Sequence, residues 1–222
     1  MPLAHIAESP TPADVTAAAT VAAAEAADDE AAIVVRRLEE TSASLRTTGW
    51  IAFWAQLVCS VVSTVIVIFS LAFERVSVPG QVGLYLTVFG VATAFLSTFG
   101  AYGLMRLGRS LQKAAKAGGE GAASKGQVLQ RLVRMVWVNV IGMGATVFGA
   151  EAVIGLLVGK SLTSATTALF QNGMYNYQPV LPLDIFLVQA SINTIVAHFI
   201  GICAALFLLN KIAAPKAATA MA

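Results

Sequence analysis

The sequence predicts an all-α integral membrane protein, a bundle of four transmembrane helices with both termini on the cytoplasmic or stromal side. Three observations carry this reading. Of the 222 residues, 57% are hydrophobic and only 12% charged, with mean hydropathy +0.76, whereas soluble domains carry about 25% charged residues. Four segments, 50–73, 82–105, 135–158 and 183–209, pass the length of about 20 apolar residues that spans about 30 Å of hydrocarbon. Finally, the basic residues segregate. Arg36, Arg37 and Arg46 precede the first segment; Arg106, Arg109, Lys113, Lys116, Lys125, Arg131 and Arg134 lie between the second and third; Lys211 and Lys216 follow the fourth. The alternate connections hold Arg75 and Lys160, and cationic loops stay on the side of synthesis.

Residues 1–49 are acidic and Ala-rich, with TAAATVAAAEAADDEAA at 16–32. They lack a period that would bury a face and read as disordered, with an amphipathic lead-in at IVVRRLEETSASL. Six acids precede the first Arg, unlike a basic transit peptide or a secretory signal. The membrane domain, 50–210, opens with a segment that gathers Gln56, Cys59, Ser60, Ser63 and Ser70 into an arc of about 100°, the width of one buried face. In the second segment Gly83, Thr87, Gly90, Ala94, Ser97 and Ala101 step by 4, 3, 4, 3 and 4, the small-residue seam of closely packed helices. Residues 106–134, centred on KAAKAGGEGAASKG, read as a flexible basic loop that either only fixes orientation or also touches acidic lipid headgroups, an RNA or a protein partner.

The third segment sets Asn139, Gly142, Thr146, Gly149 and Ala150 on one face, and Glu151 beside them. Connection 159–182 mixes Phe170, Tyr175 and Tyr177 with Asn172, Gly173 and Pro179, the composition of an interfacial aromatic belt. Residues 211–222 form a short tail.

The fourth segment begins PVLPLDIFLVQASINTIVAHFIG at 179–201, holding Asp184, Gln189, Asn193 and His198. Polar groups in hydrocarbon cost about 1 to a few kcal/mol unless they find partners. Asp184 follows Pro182, where a carboxylate caps free N–H groups. Gln189 and Asn193 lie about 40° apart, while His198 sits about 180° from Gln189, beside Ser191 and Thr194. The helix thus has two polar faces, one for the bundle and one for a second subunit, a pigment or a substrate groove.

Gln56, Asn139, Glu151, Gln189, Asn193 and His198 are the polar-interior or transport candidates. His198 is open to three readings: an interhelical hydrogen bond, ligation of a metal or pigment, or transport. Glu151 is expected to be protonated, to pair with a group such as Gln189, or to face a water-filled cavity; with His198 it is also the candidate metal ligand. Gln56 and Asn139 read as interhelical glue. Cys59 and Cys203 lack a CxxC spacing and read as packing residues. No HExxH, GxxxxGK or nucleophile elbow occurs, so an enzyme is not expected, and neither is a nucleic-acid partner. Expected partners are membrane lipid and a homo-oligomer or larger membrane complex.

The stretches FWAQLVCSVVS at 53–63, NVIGMG at 139–144 and PVLPLDIFLVQASINTIVAHFIG at 179–201 resemble the plant and cyanobacterial family of chloroplast inner-envelope proteins called Tic twenty-one, or permease in chloroplasts. The resemblance spans about residues 36–210. It implies a four-helix protein of the inner envelope, or by alternative of a thylakoid or cyanobacterial plasma membrane, that acts in the protein-import translocon or in iron transport. A rival reading is an accessory subunit of a photosynthetic complex that carries chlorophyll or carotenoid. Gln56, Cys59, Asn139, Asp184, Gln189, Asn193 and His198 match the family's stretches, with no established ligand role attached. Glu151 stands where Gln is expected in plant members. With the acidic tail, this points to an algal or cyanobacterial source.

Overall fold

The computed structural model describes residues 12–73, 78–170 and 182–213. These form four helices: α1 (Pro12–Phe73), α2 (Val78–Lys116), α3 (Lys125–Phe170) and α4 (Pro182–Ala213). All four are long and apolar enough to cross a membrane, and they pack as a four-helix membrane bundle. Neighbours around the ring are α1/α2, α2/α3, α3/α4 and α4/α1. The diagonal pair α2/α4 also touches, whereas α1 and α3 do not meet among the described residues. The cross-section is therefore a diamond closed along its short diagonal.

The helices overrun the bilayer, and three expectations are corrected by this. The last turns of α3 take up residues 159–170 of the expected connection. Residues 12–49 are helical and continuous with the first span. Alanine has the best helix propensity of any residue, which sustains a helix even where residues 19–34 are exposed along their whole length. The missing hydrophobic period reported the lack of packing and not a lack of helix. From Leu38 inward the helix packs: Ser42, Ser44 and Leu45 are buried.

Residues 106–134 are likewise no long flexible loop. α2 runs on to Lys116, α3 starts at Lys125, and 117–124 make a tight turn. Gly118 and Gly119 have φ of 76° and 96°. The Gly119 N–H donates to Ala114 O (2.8 Å) and that of Gly118 to Ala115 O (3.2 Å), a Schellman stop that requires the left-handed conformation glycine tolerates. Ser124 and Gln127 then start α3 reciprocally, with Gln127 N donating to Ser124 Oγ (3.2 Å) and Ser124 N to Gln127 Oε1 (3.1 Å), a capping box.

The interior has three levels. At the cationic end Leu45, Leu104, Leu111, Leu132 and Leu208 lead an apolar cluster. At the opposite end Val67, Leu84, Val91, Val153 and Leu187 form a smaller one. Between them the buried side chains are small or polar. The seam on α2 is wholly buried, as are Asn139, Gly142, Thr146, Gly149 and Ala150 on α3. Close approach is visible at Gly49, where an added Cβ would lie 3.1 Å from Ala101 O, and at Gly83, where it would lie 3.1 Å from Gly149 O. Lipid supplies no hydrophobic drive for association, so backbones must approach for dispersion and polar contacts to act.

Candidate functional site

The middle level centres on His198. Its ring is fully buried, with Nδ1 3.0 Å from Asn139 Oδ1 and Nε2 3.1 Å from Gly90 O. Asn139 Nδ2 donates to Met135 O at 2.8 Å, which turns Oδ1 toward the ring; Oδ1 and Gly90 O are both acceptors, so a neutral ring donates to one of them and only the imidazolium to both. Thr93 Oγ1 lies 3.4 Å from Nε2 and donates to Gly90 O at 2.8 Å. One imidazole on α4 thereby ties α3 to α2.

Glycines make the room. A Cβ at Gly142 would run into Thr93 and the His198 ring; one at Gly201 would sit 2.6 Å from Asn139 Oδ1. A Cβ at Gly90 would run into Thr146. Sequence reasoning placed Gly90 and Gly142 in packing rows but missed that they shape the histidine pocket, and it missed Thr93 and Gly201 altogether. The available signal was their spacing: Gly90 and Thr93 are one turn apart, as are His198 and Gly201.

Other polar groups are joined in the same manner. Ser97 Oγ donates to Gln56 Oε1 at 2.6 Å, linking α2 to α1. Ser63 Oγ donates to Ala190 O at 2.8 Å, linking α1 to α4. Thr87 and Ser191 hydroxyls meet at 3.2 Å across the short diagonal. Thr146 and Thr194 bond back to Gly142 O and Ala190 O on their own helices, each at 2.8 Å. Gln56 Nε2, Ser60 Oγ and Ser70 Oγ are buried without a hydrogen-bond partner.

The remaining candidates lie elsewhere. Gln189 is exposed and donates to half-buried Asn193 Oδ1 at 3.2 Å, an i,i+4 pair on the outer side of α4. Glu151 is exposed on α3, neither paired with Gln189 nor beside His198. The candidate pair His198 and Glu151 is thus not assembled into a metal site: one is enclosed by three helices and the other faces outward. Among the described residues no group of three or more His, Cys, Asp or Glu comes together. Asp184 is the third residue of α4, and its side chain lies outside the described residues, as do residues 171–181 of the aromatic connection. Cys59 is half-buried and Cys203 exposed, and both are free thiols.

Chemically the centre is a hydrogen-bond clamp. For His198 to ligate an iron or a chlorophyll magnesium, a ring nitrogen would have to leave Asn139 or Gly90. The α2/α4 contact at Thr87 and Ser191 lies across the bundle axis on the far side of His198 from the cationic end.

Comparison with known proteins adds a relative. The chain is 38% identical to "Protein TIC 21, chloroplastic" of Arabidopsis thaliana over 182 residues, covering 82% of this chain and 60% of the relative. The chain thus spans about 60% of the length of the curated relative it matches. No solved structure matches. The family model described as "Protein of unknown function (DUF3611)" matches residues 35–213, the packed part of α1 through the end of α4, and the chain belongs to that family.

Proposed function

We propose that this chain is a non-catalytic subunit of a chloroplast inner-envelope complex for protein import, working by lateral assembly through the outer face of α4. The relative supplies the compartment, its printed name carrying the word chloroplastic. Between the two roles that the resemblance implies, one observation favours assembly: His198, Asn139, Ser97, Ser63, Thr87 and Ser191 bond to neighbouring helices inside the bundle, while an amide pair faces outward.

A permease needs ligands along a path. Here His198, Asn139, Gln56 and Ser97 are engaged with neighbouring helices, and four helices alone hardly enclose an aqueous pore. The outward pair has the opposite character. Gln189 and Asn193 lie in an apolar span and retain donor and acceptor capacity beyond their own bond. Val196 and Cys203 continue the same stripe at intervals of seven from Gln189.

Oxidative crosslinking tests this reading with the cysteine already in place. With Cys59→Ala removing the other thiol, mild oxidation in the membrane is expected to give Cys203-linked dimers, and Q189L/N193L to reduce them. A chain that stays monomeric in membranes and recovers alone after gentle extraction would overturn the assembly reading. Iron uptake into liposomes holding the pure protein, lost on His198→Ala, would reinstate the permease.

A further inference from the structure

The cationic end holds a feature that neither assembly nor topology requires. α1 and α2 approach closely there: a Cβ at Gly108 would lie 2.8 Å from Arg46 Cγ and 2.9 Å from Ser42 O. Two adjoining clefts open beside this crossing. One, of about 430 Å³, is lined by Ala43, Arg46, Thr47, Trp50, Met105 and Arg109. The other, of about 440 Å³, is lined by Tyr102, Arg106, Arg109, Ser110 and Lys113. Arg109 belongs to both.

Helical geometry explains the clustering. Tyr102, Arg106, Arg109 and Lys113 step by 4, 3 and 4 along α2, which keeps them within about 60° on one face. Arg46 enters from α1, where its Nη1 donates to Gln112 Oε1 at 2.7 Å. Four cations therefore share one groove, and none of them has a carboxylate within ion-pair distance among the described residues. Toward the membrane the groove ends in aromatic rings. Trp50 and Trp54 stack edge-on at 6.5 Å, and Phe53 lies 6.1 Å from Tyr102.

We propose that this groove binds the headgroup of an anionic membrane lipid, a phosphodiester or a sulfonate, with its acyl chains lying along Trp50, Trp54 and Tyr102. Concentrated positive charge calls for an anion. Forked guanidiniums match the oxygens of such a group. The position beside an aromatic belt puts the headgroup at the water boundary and the chains in hydrocarbon, which favours a lipid over a free phosphate. Orientation alone would be served by basic residues scattered over the whole end. The shared concave groove is what a bound headgroup adds.

Native mass spectrometry of the full chain, released from micelles doped with phosphatidylglycerol or phosphatidylcholine, tests the proposal. Phosphatidylglycerol is expected to be retained preferentially, and R106Q/R109Q to weaken its retention roughly twenty-five-fold, since each basic residue near an anionic surface contributes about fivefold. R106K/R109K, which keeps the charge but loses the guanidinium forks, is expected to bind more tightly than R106Q/R109Q and more weakly than the unaltered chain. R131Q/R134Q serves as control, removing two arginines of the same spacing from α3 at the same end. Equal losses in R106Q/R109Q and R131Q/R134Q, or equal retention of both lipids by the unaltered chain, would overturn the site. Displacement of the lipid by millimolar glycerol 3-phosphate would show a site for free phosphates and overturn the lipid assignment.

Discussion

The cationic end and the middle of the bundle are packed by opposite means. At the cationic end the largest fully buried side chains are Leu45, Leu111, Leu132 and Leu208, whereas in the middle they are His198, Gln56, Asn139 and a set of threonines. The same four helices thus hold together by leucine at one end and by hydrogen bonds over glycine in the middle. Solvent accounts for the difference. Where the helices overrun the bilayer, burying leucine removes apolar surface from water, at about 25 cal/mol per Å². Within hydrocarbon that drive vanishes, because lipid tails are as apolar as leucine, and close backbones with matched polar groups take its place.

The contrast can be broken first where it is strongest. Leu132→Ala in the cationic cluster is expected to destabilise the bundle by about 2–5 kcal/mol, the range for a buried leucine truncated in a core, read as thermal unfolding in detergent. A loss no larger than that of an exposed Leu96→Ala would mean this end is not packed as a water-facing core. Next comes Gly142→Ala, whose methyl meets Thr93 and His198. Overpacking of this kind costs about 1–3 kcal/mol, while Gly144→Ala, where a Cβ would have nothing within 4 Å, is expected to be neutral or stabilising.

Smaller effects sharpen the account of the polar level. His198→Ala is expected to cost about 1 kcal/mol, in keeping with interhelical hydrogen bonds in membranes, which average about 0.6 and reach about 1.7 kcal/mol. Combined with Asn139→Ala it should cost less than the sum of the two, since both remove one bond; strict additivity would deny the pairing. Smallest of all, Q189L/N193L is expected to leave unfolding of the isolated chain unchanged while reducing Cys203 crosslinking, so a large loss of monomer stability would place that amide pair inside the fold instead.

These differences also decide what was legible in the sequence. The α2 seam could be read directly, because Gly83 through Ala101 recur at helical intervals and lipid leaves small residues as the mark of an interface. The two faces of α4 followed from 100° per residue alone, and the structure sets His198, Ser191 and Thr194 inward and Gln189 outward. The partnership of His198 with Asn139 and Gly90 was not legible, since it depends on the register and rotation of three helices that no single-helix pattern fixes. Residues 12–49 were misread for another reason. Absence of a hydrophobic period marks absence of packing and not of structure, because the alanines favour a helix on their own. The turn at 117–124 carried its signals openly, in Gly118, Gly119 and the Ser124/Gln127 spacing, but abundant charge and glycine around it suggested a loop.

Closure of the polar level is tested most directly by cysteine accessibility. In a C59A/C203A background, a cysteine replacing Thr194 or Ser191 on the inner face of α4 is expected to resist a water-soluble methanethiosulfonate applied from either side of the membrane, while one replacing exposed Lys211 reacts at once. Rapid labelling of the Thr194 position from water would contradict the account, because it would reveal an aqueous path through the middle of the bundle.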